Sequence, residues 1–180
     1  LCPAETPEGA SVGVVKNLSY MSNITIPSYS LPLHEYVNNY IIPLDEQTPQ
    51  QLEKKVKVFV NGAWIGVCDD PKKLYDTMKE KKYQGILNIY TSIVFDYKNK
   101  EMRFCNDAGR LIRPVLRVKN NSVLLSKKLI NQLSDETIEW NDLLTNSKID
   151  ESVIEYIDPE EQSFDMIAMK KNDLQNNESL

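Results

Sequence analysis

Four carboxylic acid side chains lie close together near the end of the chain and could perform chemistry. They are Glu155, Asp158, Glu160 and Glu161. Carboxylate oxygens are good ligands for hard metal ions, so the cluster could hold a metal. Acidic side chains are also common in the first turn of a helix, where they stabilise its positive end. We favour the second interpretation, a capped helix start on an acidic surface, over a metal site.

The sequence indicates no nucleophilic or acid–base site. His34 is the only histidine, and nothing near it supports a Ser–His–Asp or Cys–His arrangement. Cys2, Cys68 and Cys105 form no Cys-x-x-Cys pair, so we expect reduced, partly buried thiols and no structural zinc site. A glycine-rich phosphate loop of the Walker or Rossmann type is also missing from the sequence. A hydrolase built on the four carboxylates would therefore lack a nucleophile and a base.

The charge distribution argues against independent nucleic-acid binding. The formal net charge at pH 7 is −5, whereas free-standing nucleic-acid binders are usually basic because phosphate contacts supply most of their affinity. All four arginines fall between positions 103 and 117. From position 135 to 180, thirteen acidic residues stand against three lysines. This last third of the chain would repel a DNA backbone.

The composition is that of a soluble, folded protein. Of the 180 residues, 41% are hydrophobic and 26% are charged, close to the values of ordinary globular domains. No apolar run approaches the about 20 residues that span a bilayer, so no membrane contact is expected. The start has no basic or apolar signal-peptide region. The missing initiator methionine suggests a piece of a longer chain.

Two β-hairpins are the clearest local patterns. Val56–Val60 alternates in polarity, Asn61-Gly62 follows, and Ala63–Val67 leads away. Asn-Gly between two apolar runs favours a type I′ turn, which needs positive φ at both residues. A second hairpin is predicted from Ser92–Tyr97 and Met102–Cys105.

A helix is predicted between the hairpins. Asp70 and Pro71 are typical of a helix cap and first turn, and Gly85 is typical of a helix end. The helix should therefore extend from Pro71 to about Tyr83, with Leu74, Tyr75 and Met78 on one side.

Seven further elements complete the predicted set. They are strands at Val12–Tyr20, Leu111–Val118, Val153–Ile157 and Phe164–Met169, and helices at Leu33–Tyr40, Leu124–Leu133 and Trp140–Leu144. The fold class that these elements predict is α+β. It combines a mixed sheet-and-helix lobe, with antiparallel hairpins, and a smaller acidic α+β unit beyond about Asn120.

Residues Leu1–Asn23 are not expected to fold alone. Pro3 and Pro7 fix φ there, and Gly9 and Gly13 permit backbone geometries closed to other residues. The segment has no second layer of its own to pack against. It should therefore lie against another part of the protein.

The opening residues resemble the signature of a known family. Cys2–Gly9 reads CPAETPEG and Gly13–Leu18 reads GVVKNL, which is similar to the CPAETPEG…GLVKNL signature of the second-largest subunit of multisubunit DNA-directed RNA polymerases. FVNG at Phe59–Gly62, DAGR at Asp107–Arg110 and EYID at Glu155–Asp158 follow in the family's order. The resemblance spans nearly the whole chain and is closest to the eukaryotic messenger-type enzyme and its archaeal and large-DNA-virus relatives.

The resemblance implies a domain organisation and an activity. Residues 1–25 would end the fork domain, and residues 26–118 and 119–180 would be the first and second parts of the external 2 domain. The whole enzyme would transfer nucleotides from ribonucleoside triphosphates onto RNA with Mg²⁺. This stretch would hold no catalytic residue and no cofactor, and would be inactive alone. Its partners would be the largest polymerase subunit, other polymerase subunits, the DNA template and the RNA–DNA hybrid. The implied location is the nucleus for a eukaryote, and the cytoplasm or virion for a large DNA virus.

Two groups of site residues also follow from the resemblance. Those near the active channel would be Glu5, Thr6, Pro7, Glu8, Gly9, Lys16 and Asn17. Glu5 and Glu8 would orient nearby arginines through charge-assisted hydrogen bonds, or would only anchor the loop. Asp107, Arg110 and Arg113 would form a structural salt-bridge network where the lobe joins the core. The alternative is that the two arginines contact nucleic acid, which we disfavour because the acidic lobe would oppose it.

A second interpretation keeps the lobe without catalysis. The chain would then be a stand-alone adaptor or scaffold derived from a polymerase. The opening signature argues against it, because a surface adaptor has no use for an active-channel loop.

Overall fold

The computed structural model describes residues 5–46 and 48–175. Within these ranges the α-helices are α1 (Leu31–Asn38), α2 (Pro49–Leu52), α3 (Pro71–Tyr83), α4 (Lys127–Ser134) and α5 (Pro159–Gln162). The strands there are β1 (Asn23–Ile24), β2 (Val56–Val60), β3 (Ala63–Cys68), β4 (Ser92–Asp96), β5 (Glu101–Cys105), β6 (Leu111–Leu116), β7 (Val118–Lys119), β8 (Ser122–Val123) and β9 (Ile154–Ile157). Short 3₁₀ helices occupy Gly9–Ser11, Leu44–Glu46, Trp140–Leu143 and Lys171–Gln175. The α+β prediction is confirmed.

The larger sheet has the strand order β3-β2-β5-β4. Strands β2 and β3 are antiparallel and are joined by Asn61 and Gly62, whose φ angles are 48° and 80°, as a type I′ turn requires. Strands β4 and β5 form the second antiparallel hairpin. The two hairpins are joined by the parallel pairing of β2 with β5. Both predicted hairpins are confirmed.

The main hydrophobic core joins α1 and α3 to the larger sheet. Leu74 and Met78 of α3 are fully buried and pack with Val58, Met102 and Phe104 of the sheet. Burying each such side chain contributes about 1.5–3 kcal/mol. The sequence placed Leu74 on the apolar face correctly.

Helix α3 has the predicted bounds and caps. The Asp70 carboxylate accepts a hydrogen bond from the Lys73 backbone N–H at 3.1 Å. Gly85, with a φ of 74°, follows the end of the helix. Both ends of α3 are therefore fixed by local contacts, as the sequence predicted.

The smaller sheet has the order β1-β6-β9 and joins distant parts of the sequence. Asn23 of β1 pairs with Ile112 of β6, and Arg113 of β6 pairs with Ile157 of β9. One strand therefore comes from each of the ranges 1–25, 26–118 and 119–180. The division of the chain at those boundaries stays a prediction.

A second hydrophobic core lies beyond the main one. Leu143, Leu144, Val153 and Ile154 are buried in it. The apolar side of α4 packs against this core through partly buried leucines such as Leu129. The sequence predicted this smaller unit. Helix α4, however, spans Lys127–Ser134 rather than Leu124–Leu133, and Trp140–Leu143 is a 3₁₀ turn.

Two predicted strands are wrong. Residues Val12–Tyr20 form turns and irregular backbone, and Phe164–Met169 form no strand either. No strand in the described ranges pairs with either segment, and an isolated strand leaves its backbone hydrogen bonds unmade. The apolar residues that suggested the strands are exposed instead: Val14 is 74% exposed and Met169 is 89% exposed.

Smaller differences concern element ends. The first helix begins two residues before the predicted Leu33, because Leu31 and Pro32 occupy its first turn, and it ends at Asn38 rather than Tyr40. The strand predicted at Leu111–Val118 is interrupted after Leu116. Among the described residues, no helix is long and apolar enough to cross a membrane.

Candidate functional site

The channel residues predicted from the resemblance lie in an exposed loop. The Thr6 hydroxyl accepts a hydrogen bond from the Gly13 backbone N–H at 2.9 Å. The Asn17 amide donates to the Glu5 carboxylate at 3.4 Å. Gly9 begins the 3₁₀ turn with a φ of 78°. The loop is therefore closed on itself by its own side chains.

The side chains of three other predicted channel residues do not take part in the hydrogen bonds that close the loop. Pro7 is half-buried, while Glu8 and Lys16 are exposed. Glu8 precedes the 3₁₀ turn but its carboxylate does not cap it. The charges of Glu8 and Lys16 therefore face outward from the loop. Cys2 and the other residues before Glu5 lie outside the described residues.

Thr25 joins this segment to the rest of the molecule. Its backbone N–H donates to the Arg110 carbonyl at 2.9 Å, and its carbonyl accepts from the Gly109 N–H at 2.9 Å. Its hydroxyl donates to the Asp107 carbonyl at 2.8 Å and accepts from the Arg110 N–H at 3.0 Å. Thr25 is 5% exposed. All four bonds lead to the turn formed by residues 107–110.

An asparagine pair ties this turn to the first hairpin. The Asn61 amide donates to the Asn106 side-chain oxygen at 2.8 Å, and the Asn106 backbone N–H donates to the Asn61 side-chain oxygen at 3.0 Å. The Ser28 hydroxyl donates to the Asn106 carbonyl at 3.1 Å. The FVNG motif is thus bonded to Asn106, which lies 45 residues further along the chain and directly precedes the DAGR motif.

Arg110 fixes the turn from its other side. Its guanidinium donates to the Asp107 carbonyl at 3.1 Å, to the Asp158 carboxylate at 3.1 Å and to the Tyr90 carbonyl at 2.8 Å. Asp107 contributes its backbone oxygen there, and the ion partner of Arg110 is Asp158. Arg113 lies in β6, where it pairs with Ile157 of β9. Its guanidinium donates a hydrogen bond to the Gln162 amide oxygen at 3.0 Å. The predicted trio therefore does not form one salt-bridge network.

The acidic cluster at the end of the chain is divided between two environments. Asp158 caps α5, accepting a hydrogen bond from the Glu161 N–H at 2.8 Å, as predicted. Glu160 is 42% exposed and pairs with Arg103 at 3.0 Å. Glu155 and Glu161 are instead buried, at 9% and 1% exposure. The expectation of an acidic surface is wrong for these two, because lysines of α3 reach them.

We call Lys79, Lys82, Glu155 and Glu161 the buried ion cluster. Glu155 accepts from the Lys79 ammonium at 2.6 Å and from the Lys82 ammonium at 3.0 Å. Lys79 also pairs with Glu161. The Tyr83 hydroxyl donates to the second Glu155 oxygen at 2.8 Å. Two positive and two negative charges thus compensate each other between α3 and the β9–α5 region.

Burial and charge act in opposite directions on these groups. Burial alone would raise the pKa of Glu155, but the ammonium groups of Lys82 and Lys79 outweigh it and hold that pKa below its usual value. Burial raises the pKa of Glu161. Burial and the adjacent Glu155 charge raise the pKa of Tyr83, so its hydroxyl keeps the proton that it donates. Glu155 is therefore the ionised centre of the cluster.

Metal binding and thiol chemistry are two further possibilities for the described residues. Within residues 5–46 and 48–175 no three His, Cys, Asp or Glu side chains are arranged to hold a metal ion. Cys68 and Cys105 are free thiols. Burial raises the pKa of Cys105 to about 11 and also raises that of Cys68, and a protonated thiol is a poor nucleophile.

A cavity of about 1180 Å³ lies beside the cluster, between α3, β6 and residues 165–174. The Arg117 guanidinium lies 3.6 Å from the centre of the Tyr83 ring at one wall. The lining contains as many acidic as basic side chains. Its charge therefore selects no class of ligand.

Sequence analysis missed Thr25, the asparagine pair and the two lysines. The residues around Thr25 form no pattern that indicates a buried hydroxyl, and the hydrogen-bond partners of Thr25 are more than 80 residues away in the sequence. Lysines are rarely buried, so Lys79 and Lys82 looked like solvent-exposed helix residues. The acidic partners near position 158 were the available signal, since buried carboxylates need cations.

Comparison with known proteins places the chain in one family. It matches the family models described as RNA polymerase Rpb2 domain 3 at residues 1–24, domain 4 at residues 58–119 and domain 5 at residues 140–180. These domains appear in their family order along the chain. The DAGR turn lies in the domain 4 match and the EYID motif in the domain 5 match.

Curated relatives agree over nearly all of the chain. DNA-directed RNA polymerase II subunit RPB2 of Encephalitozoon cuniculi is 40% identical over 94% of this chain, DNA-directed RNA polymerase subunit 2 of Acanthamoeba polyphaga mimivirus is 36% identical over 94%, and DNA-directed RNA polymerase subunit Rpo2 of Sulfolobus acidocaldarius is 32% identical over 97%. The matched segments make up 14%, 14% and 16% of these relatives. The chain therefore belongs to the family of second-largest subunits of multisubunit DNA-directed RNA polymerases, and it corresponds to a segment of such a subunit.

Proposed function

We propose that this chain acts in DNA-templated RNA synthesis as a segment of the second-largest polymerase subunit. The observation that carries the proposal is the match over 94–97% of the chain to polymerase subunits from a eukaryote, a virus and an archaeon. The reaction of the whole enzyme is nucleotidyl transfer from ribonucleoside triphosphates. Its partners are the largest subunit, other subunits, the DNA template and the RNA–DNA hybrid. Its location is the nucleus in a eukaryote, or the cytoplasm or virion for a large DNA virus.

The Mg²⁺ ions of the reaction belong to other parts of the enzyme. The described residues contain no set of acidic, histidine or cysteine side chains arranged for a metal ion. The carboxylates that come nearest to such a set, Glu155 and Glu161, are already neutralised by two lysine ammonium groups. Under this proposal the stretch contributes position and shape to the reaction.

Residues 5–17 lie near the nucleotide-addition site, and the lobe formed by the remaining residues supports them. Three features favour this arrangement. The loop is closed by its own hydrogen bonds, and it carries outward-facing charges at Glu8 and Lys16. Exposed apolar side chains lie within the loop at Val14 and just after it at Leu18 and Tyr20, which are 74%, 59% and 97% exposed. Such a run of exposed apolar residues is typical of a surface that another part of a protein covers.

The adaptor interpretation is tested by the coding sequence around this segment. If the segment works in a polymerase, the reading frame extends on both sides into further motifs of the second-largest subunit. The full-length subunit should then bring down the largest subunit from cells, and the purified complex should synthesise RNA on a DNA template. A start codon and a stop codon that bracket these residues would instead support the adaptor.

Replacing Glu8 by glutamine is expected to slow nucleotide addition in the assembled polymerase about three- to tenfold. Glutamine keeps the size of the side chain and one acceptor oxygen but removes the charge, so it should lose about half of the ~1.5–3 kcal/mol that a hydrogen bond to a charged group is worth. A loss of about 0.7–1.4 kcal/mol corresponds to a three- to tenfold change in rate. Elongation rate and misincorporation on a defined template measure the effect. Glu53→Gln, an exposed carboxylate of the lobe, is the matched control. Unchanged rate and fidelity for Glu8→Gln would show that the charge of Glu8 has no role in elongation.

A further inference from the structure

Thr25 occupies the position where the exposed N-terminal segment meets the packed part of the molecule. Residues 5–24 contain no buried residue, and Thr25 is the first one in the described chain. Upstream of it, Tyr20 is 97% exposed and Ile24 is 51% exposed. The direction in which residues 5–22 leave the lobe is therefore set by Thr25 together with the pairing of Asn23 and Ile24 with β6.

The groups that hold Thr25 are themselves held firmly. The 107–110 turn is connected through Arg110 to the Asp158 carboxylate and the Tyr90 carbonyl. At its other end, Asn106 is connected to the Asn61 turn of the first hairpin. The turn thus links both sheets of the lobe. A side chain that bonds to this turn is fixed relative to the whole lobe.

The Thr25 hydroxyl makes two of the four bonds across this contact. It donates to the Asp107 carbonyl and accepts from the Arg110 N–H. Because Thr25 is 5% exposed, water cannot readily replace the hydroxyl. Without it, the Arg110 N–H would lose its partner and the Asp107 carbonyl would keep only its bond from the Arg110 guanidinium, which disfavours the native arrangement of the turn.

We propose that Thr25 is a positioning residue for RNA synthesis, whose hydroxyl fixes the placement of residues 5–17 relative to the growing RNA. The inference rests on the proposed function, because it requires those residues to lie near the nucleotide-addition site. Misplacement of reacting groups by about 1 Å can cost up to about a hundredfold in rate. Loss of the Thr25 hydrogen bonds would lower the rate by shifting residues 5–17, although Thr25 itself does not contact the substrate.

The test uses the complete polymerase with Thr25→Val, Thr25→Ser and Thr77→Val. Valine preserves the branched shape of threonine and removes the hydroxyl, whereas serine keeps the hydroxyl. Thr77 is the matched control, since its hydroxyl bonds only within α3, to the Lys73 carbonyl. Single-nucleotide addition is measured in stalled elongation complexes over a range of nucleotide concentrations. This rate is counted per active complex, so a loss of folded or assembled enzyme does not alter it.

Thr25→Val should lower the maximal rate of addition about three- to tenfold, with the apparent KM for the nucleotide changed less than about twofold. Thr25→Ser should restore the rate to within about twofold of the parent enzyme, and Thr77→Val should leave it unchanged. A parental rate for Thr25→Val would overturn the inference. If Glu8→Gln slows the same enzyme while Thr25→Val does not, only the role of Thr25 fails. If neither variant has an effect, the proposal that residues 5–17 lie near the nucleotide-addition site is also wrong.

Discussion

Replacing Glu155 by glutamine is expected to lower the free energy of unfolding by about 3–5 kcal/mol, the usual cost of removing one partner from a buried ion pair. Glu155 accepts hydrogen bonds from Lys79, Lys82 and Tyr83 and is 9% exposed. Glutamine would leave two buried ammonium groups facing the single carboxylate of Glu161. Equilibrium urea unfolding of the chain, followed by far-UV circular dichroism, measures the loss.

Glu160→Gln is the matched control for this substitution. Glu160 lies five residues further on, is 42% exposed and pairs with Arg103, and exposed pairs contribute about 0–1 kcal/mol. A double variant, Lys82→Met with Glu155→Leu, removes one charge of each sign and should be more stable than either single variant, because no buried charge remains unpaired. A loss below about 1 kcal/mol for Glu155→Gln would show that the cluster does not hold α3 to the β9–α5 region.

Replacing Arg110 by methionine is expected to cost about 3 kcal/mol of stability, within the range for breaking a buried pair. Asp158 is 4% exposed and would lose its cation, and the Tyr90 and Asp107 carbonyls would lose a donor. The Asp158→Asn substitution should recover part of the loss in this background. Asparagine removes the unpaired charge and remains a good helix cap. Urea unfolding of the single and double variants measures both effects.

Arg113→Met provides the control for Arg110→Met. Both arginines come from the same motif region and both donate hydrogen bonds, but Arg113 bonds an exposed amide and forms no ion pair among the described residues. Its replacement should change stability by less than about 1 kcal/mol. Equal losses for the two variants would contradict the assignment of Arg110 as the anchor of the 107–110 turn.

The sequence predicts the larger sheet and α3 well because their signals are local. Asn61-Gly62 can adopt the positive φ angles of a type I′ turn, and Asp70-Pro71 both caps and starts a helix. The core side of α3, with Leu74 and Met78, follows from helical spacing. These predictions needed no knowledge of distant parts of the chain.

The junction and the buried ion cluster could not be predicted in the same way. Thr25 and Arg110 are 85 residues apart and Lys79 and Glu155 are 76 residues apart, so nothing in the local pattern connects them. The apolar residues at Val12–Tyr20 led to a strand prediction, because a strand and an exposed apolar surface that another protein segment covers have similar compositions. The family resemblance indicated the function, whereas composition and periodicity alone indicated only an α+β module.

The most direct test of the central claim is photo-crosslinking within a stalled elongation complex of the complete polymerase. A photoreactive amino acid is placed at position 8, in the proposed channel loop, or at position 99, in the exposed turn between β4 and β5. The account predicts a crosslink from position 8 to the RNA–DNA hybrid near the RNA 3′ end and none from position 99. Absence of a crosslink at position 8, or equal crosslinking from both positions, would contradict it.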